Sequence, residues 1–104
     1  MRTAAVLVDV DGTMSDVVVD DGRVHQFLDG PVRFVGAIDP LNVVAVARQR
    51  ANAACNAHTI PEEFVEPGVR GQILLMGSDA RGEAQDVRVL QLEHFLRSVA
   101  VACP

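Results

Sequence analysis

Residues 3–10 (TAAVLVDV) form a valine-rich apolar run that stops at Asp11-Gly12, and residues 14–19 (MSDVVV) resume it. This spacing predicts two strands joined as a hairpin. Asp11-Gly12 would be the central pair of a type I′ turn, which needs positive φ at both positions. Asp20-Asp21-Gly22 predicts a further turn. Across residues 23–29, Val24, Phe27 and Leu28 recur at helical spacing, and Gly30-Pro31 ends that short helix. Residues 32–38 (VRFVGAI) and 42–48 (NVVAVAR) read as strands, paired as a hairpin across Asp39-Pro40. The alanine-rich stretch 50–58 predicts a second short helix. Pro61 and Pro67 bracket an acidic loop, and the continuous apolar run in 71–77 (GQILLMG) predicts a buried strand. After a polar turn region at 78–84, Asp86 is placed to cap a last helix. In that helix Leu92, Phe95, Leu96 and Val99 share one face, and Glu93 and Arg97 form an i, i+4 pair outside.

The resulting order, β-β-α-β-β-α-β-α, contains two adjacent hairpins and no clean repeat of βαβ units. It predicts an α+β fold: one domain over residues 1–104, with a small, largely antiparallel mixed sheet of about five strands and two or three helices. At 104 residues and 49% hydrophobic content, the chain can bury a core without metal or disulfide support. The net charge of -5 argues against a nucleic-acid partner. All nine basic side chains are arginine, which excludes any reaction that requires a lysine. Cys55 and Cys103 make no disulfide framework. Asp9 and Asp11 interrupt the first apolar run too early for a signal peptide, and no stretch approaches the roughly 20 apolar residues of a membrane span. A cytoplasmic protein with reduced thiols is expected.

The stretch DVDGT after an apolar strand resembles motif one of the haloacid-dehalogenase-like phosphatases. That resemblance implies Asp9 as nucleophile, Asp11 as general acid and Mg²⁺ held by the two carboxylates, with Asp16 as a further acid shortly after the threonine. The rest of that machinery is missing. The pattern requires a lysine, and the chain has none. It also requires a late acidic pair, whereas the Asp-Asp pair here is Asp20-Asp21. A hairpin turn accounts for the same five letters.

Over nearly its whole length the layout resembles the DUF3846 domain. The stretches that carry the likeness are the hairpin VDVDGTMSDVVV, the glycine-containing strand start QFLDGPVRFVGAI, the central VVAVARQRANAAC, the glycine-bounded VRGQILLMGSDARGE and the C-terminal amphipathic helix. The resemblance implies that the Asp-x-Asp-Gly stretch is a hairpin turn and that the chain comes from a phage or mobile element. It brings no activity, cofactor or catalytic residue.

Among other polar positions, Arg48, Arg50 and Asn52 follow a strand and would meet an anionic ligand at the start of the helix at 50–58. Cys55 and His58 have a C-x2-H spacing, with His25, His94 and Cys103 scattered elsewhere. A buried free thiol at Cys55 is the simpler reading. Phe64 and Val65 sit among Glu62, Glu63 and Glu66, either as an apolar contact tip or tucked beneath the loop. Ser15, Ser78 and Ser98 lack a nucleophile context. The expected function is therefore binding, not catalysis: an accessory protein that engages a host protein or a small ligand, or pairs as a homodimer. The alternative is the Mg²⁺-dependent phosphatase built on Asp9 and Asp11.

Overall fold

The first valine run forms β1 (Arg2–Val8) and turns back as β2 (Met14–Asp20). The computed structural model describes residues 2–20, 23–49 and 52–102, with side chains described to Ser98. A four-residue helix, α1 (Val24–Phe27), leads to β3 (Val32–Ile38). A 3-10 turn at Asp39–Leu41 then delivers β4 (Val43–Arg48). After a long irregular segment come β5 (Ile73–Ser78), the two-residue β6 (Ala84–Gln85) and α2 (Val89–Ala102).

The sheet runs β2-β1-β5-β4-β3, with β6 beside the far end of β5, and every pairing is antiparallel. This is the α+β fold that the adjacent hairpins predict. β5 lies between β1 and β4, which explains its unbroken apolar run: both of its faces are covered. Leu75 and Ile73 join Val6, Val8, Ala45 and Ala47 on one face, beneath Leu92 of α2 and Ile60, Val65 and Val69 of the irregular segment. Leu74 joins Ala5, Val19 and Val46 on the other face, where Leu28 and the partly buried Val24 are the cover from α1 and its end. Face one is roofed by a long helix and a loop, and face two by one helical turn. Phe34 therefore stands 73% exposed beside Val46 on face two.

Several expectations need correction. Residues 52–58 are extended instead of helical, and Cys55 pairs with Arg70 in an isolated antiparallel bridge. Alanine content favours helix only weakly, and here tertiary hydrogen bonds override it. Cys55 is exposed, so the buried thiol is also corrected. Asp86 does not cap α2; its Oδ1 accepts the N–H of Ala4 at 2.8 Å. The N–H of Val89 is instead satisfied by Asp16 of β2 at 2.9 Å, and that of Arg88 by Gln91. Glu93 and Arg97 are both exposed but make no ion pair. Val99 lies beyond the described side chains, and Asp21, Gly22, Arg50 and Cys103 lie outside the described residues.

Candidate functional site

The DVDGT stretch is a hairpin loop. The Asp9 N–H donates to the Thr13 carbonyl at 2.9 Å, and the Gly12 N–H donates to the Asp9 carbonyl at 2.8 Å. Gly12 has φ +88°, while Asp11 does not have a positive φ. This is the three-residue loop with a left-handed glycine, and it replaces the two-residue type I′ turn expected from Asp11-Gly12. The chain repeats the device at Asp79–Glu83. There the Asp79 N–H donates to the Glu83 carbonyl, the Gly82 N–H to the Asp79 carbonyl, and Gly82 has φ +81°. Asp-Val-Asp-Gly-Thr and Asp-Ala-Arg-Gly-Glu share aspartate at the first position and glycine at the fourth, so the letters follow the turn.

The two carboxylates are used locally. Asp9 Oδ1 accepts from the Val10 N–H at 2.8 Å, and Asp11 Oδ1 from the Thr13 N–H at 2.9 Å. That bond, together with one from the Thr13 side chain, holds the Asp11 carboxyl below its ordinary value. β1 has antiparallel neighbours on both sides and runs into a hairpin, not the parallel, doubly wound core that the phosphatase resemblance implies. Asp16, the extra acid, holds the first turn of α2.

A second segment locks this hairpin. The Ala57 N–H donates to the Val10 carbonyl at 2.8 Å, and a Cβ on Gly12 would meet the Ala57 carbonyl oxygen at 2.7 Å. Asn56 is the one polar residue buried among the described residues. Its Nδ2 donates to the carbonyls of Val8 and Gly71, its Oδ1 accepts from the His58 N–H, and its own N–H reaches the Val69 carbonyl. It ties β1 to the entrance of β5. This geometry requires the extended backbone that replaces the expected helix.

His58 is likewise committed. Its Nδ1 accepts from the Ile60 N–H, so Nε2 carries the hydrogen and donates to the Glu66 carbonyl, both at 3.2 Å. Among the described residues no three His, Cys, Asp or Glu side chains converge as a metal site. In the acidic loop Val65 is fully buried, Phe64 packs against Phe95 with ring centroids 5.6 Å apart, and Glu66 pairs with Arg33 at 2.6 Å. The Phe64 tip is tucked under.

What remains is Arg48. One end of the sheet, where β1 and β4 finish and β5 begins, carries a cavity of about 380 Å³. Val8 and Ala47 both pair with Ile73, and Asp9, Gln72 and Arg48 are the residues next to that row at the ends of three neighbouring strands. Side-chain alternation puts all three on the face of Leu7, Leu74 and Val46, and all three line the cavity. Leu28 and Phe27 provide apolar wall, and Asp29 completes the rim. The Arg48 guanidinium lies over Gly30, where a Cβ would come 3.2 Å from Nε. The ion pairs among the described residues are Arg2–Asp20 and Arg33–Glu66, so Arg48 is paired with neither Asp9 nor Asp29.

Of the three residues expected to bind a ligand, Arg48 lines this cavity. Asn52 is exposed and outside the lining, and Arg50 lies outside the described residues. Among the described residues 52–58 there is no helix whose N-terminus could unite them. Asp29, Gln72 and Asn56 were missed. In sequence Asp29 reads as the last residue of the short helix over 23–29, and the juxtaposition of Asp9, Gln72 and Arg48 needs strand register to be seen.

A family model described as "Family of unknown function (DUF5880)" matches residues 6–95, from β1 into α2. The chain belongs to DUF5880. The match overturns the DUF3846 resemblance, whose hairpin, glycine-bounded strand and C-terminal helix are features many small α+β domains share. The mobile-element origin it implied loses its support. The phosphatase resemblance falls as well, since the DUF5880 match spans the turn and the strand topology there is antiparallel. No curated protein and no solved structure matches the chain. Among the described residues no helix is long and apolar enough to cross a membrane.

Proposed function

We propose that this DUF5880 protein is a cytoplasmic accessory protein that acts by binding and not by catalysis, and that a small ligand occupies the cavity at Arg48. One observation carries the reading: a guanidinium without an ionic partner among the described residues lines a cavity of about 380 Å³ beside two carboxylates. That volume lies within the range of small-molecule sites, and an arginine lining it is a ready polar anchor. The larger cavity, about 450 Å³ at the opposite end of the sheet, is a weaker candidate. Its lining holds Asp79 and Asp86 but no arginine or histidine to complement them. A thermal-shift screen of charged metabolites against wild type and Arg48→Gln tests the reading. Compounds that raise the melting temperature of wild type alone support it. Equal shifts in both proteins, or no shift from any compound, would remove it.

Phe34 favours a second reading, a homodimer. It is 73% exposed on the thinly covered sheet face, on an edge strand. In sedimentation velocity, a dimer lost in Phe34→Ser supports that reading, and a monomer at high concentration excludes it.

A further inference from the structure

We infer that the cavity at Arg48 selects a short zwitterion, such as a free amino acid or dipeptide with an apolar arm. The carboxylate would sit at Arg48 and the ammonium at Asp9 and Asp29. The inference rests on the small-ligand reading above and adds the chemistry of the ligand.

The charges are separated along a defined line. Asp9 and Arg48 stand at opposite ends of the row that crosses β1, β5 and β4, with Gln72 between them. Adjacent strands are about 4.8 Å apart, so their backbones are about 10 Å apart. The two charges do not close on each other, and the space between them is cavity. A simple anion drawn to Arg48 would feel Asp9 and Asp29 on the same rim. A simple cation drawn to the carboxylates would feel Arg48. A molecule carrying both signs meets each with its complement. Gln72, at the middle of the row, has no side-chain partner among the described residues and offers both a donor and an acceptor to the span between the charges. Leu28 and Phe27 give an apolar arm a surface to cover.

Asp29 supplies an independent observation. It closes α1 in a Schellman arrangement: the Gly30 N–H reaches the His25 carbonyl at 2.7 Å, and the Asp29 N–H reaches that of Gln26 at 3.3 Å. The residue at this left-handed position is normally glycine. Here it is aspartate, with φ +62°, although glycine is the very next residue. A left-handed conformation that glycine would adopt more readily is kept by an acidic residue in the cavity lining.

The experiment is isothermal titration calorimetry with four matched probes: the zwitterions L-leucine and the dipeptide Ala-Leu, the carboxylate 4-methylpentanoate, and the amine isopentylamine. The expected result is binding of at least one zwitterion below about 1 mM. Each single-charge probe should be weaker by about tenfold or more. Arg48→Gln and Asp29→Asn should each lower zwitterion affinity by about tenfold, as expected for loss of a charge-assisted hydrogen bond. Asparagine tolerates the left-handed conformation, so the second variant keeps the fold. If 4-methylpentanoate binds as tightly as leucine and loses affinity in Arg48→Gln, the zwitterion inference is overturned while the small-ligand reading stands. If isopentylamine matches leucine, the inference is likewise overturned. If none of the four binds, the inference fails, and the metabolite screen then decides whether the underlying reading fails with it.

Discussion

At the scale of single residues, the two aspartate-glycine turns form an internal control. Gly12 and Gly82 have nearly the same φ, +88° and +81°, but a Cβ on Gly12 would press on the Ala57 carbonyl, whereas nothing lies within 4 Å of one on Gly82. Gly82→Ala should therefore cost about 1–2 kcal/mol, the conformational part alone. Gly12→Ala should cost at least about 1 kcal/mol more, because the covering segment must also move. Urea unfolding of the two variants measures both. Asp29→Gly should shift the other way. Relief of a left-handed aspartate should stabilise the protein by about 0.5–1 kcal/mol in the same assay, while removing a carboxylate from the cavity. Asp11 contributes a pH effect of known sign. Its folded-state pKa is depressed by the Thr13 hydrogen bonds, so its contribution is present above the unfolded value and fades as pH falls through the lower folded one. The loss of urea stability as pH falls through and below the ordinary carboxylate range should be smaller in Asp11→Asn, which keeps the acceptor and removes the titration. The turn residues were legible because aspartate and glycine have few other reasons to appear three positions apart between apolar runs. Asn56 was not legible, since its value lies in three partners that are distant in sequence or across a turn: Val8, Gly71 and His58.

At the scale of elements, legibility followed how much of each element's stability is local. The strands from β1 to β5 announce themselves through apolar runs, rich in valine in β1, β2 and β4, and α2 through the spacing of Leu92, Phe95 and Leu96. The expected helix at 50–58 rested on alanine propensity alone, a term of tenths of a kcal/mol per residue. Asn56 outweighs it by satisfying Val8 and Gly71 from an extended backbone. The start of α2 shows the same limit. Asp86 was the local choice of cap, but Asp16, 73 residues away, holds the Val89 N–H. Asp16→Ala should therefore destabilise the protein by about 1 kcal/mol, the usual worth of a helix cap. It should also speed amide hydrogen exchange in the first turn of α2, whereas Asp86→Ala should act at the Ala4 amide of β1.

At the scale of the whole molecule, the sheet is covered unequally. One face lies under α2 and the segment that holds Ile60, Val65 and Val69. The other lies under one turn of helix, and its lower end opens into the cavity lined by Asp9, Asp29, Gln72 and Arg48. This arrangement reassigns the chemistry first suggested by the sequence. On the proposed reading Asp9 acts with Arg48 instead of with Asp11, because β1 continues into a hairpin and Asp9 and Arg48 line one cavity. Register, which hydrophobic pattern alone does not disclose, decides that juxtaposition. The most direct measurement is amide chemical-shift mapping of the ¹⁵N-labelled protein titrated with L-leucine and Ala-Leu. Saturable shifts clustered at Asp9, Asp29, Arg48, Gln72 and Gly71, and absent in Arg48→Gln, are the predicted result. Shifts centred on the cavity near Asp79 and Asp86, or no saturable shifts anywhere, would contradict the account.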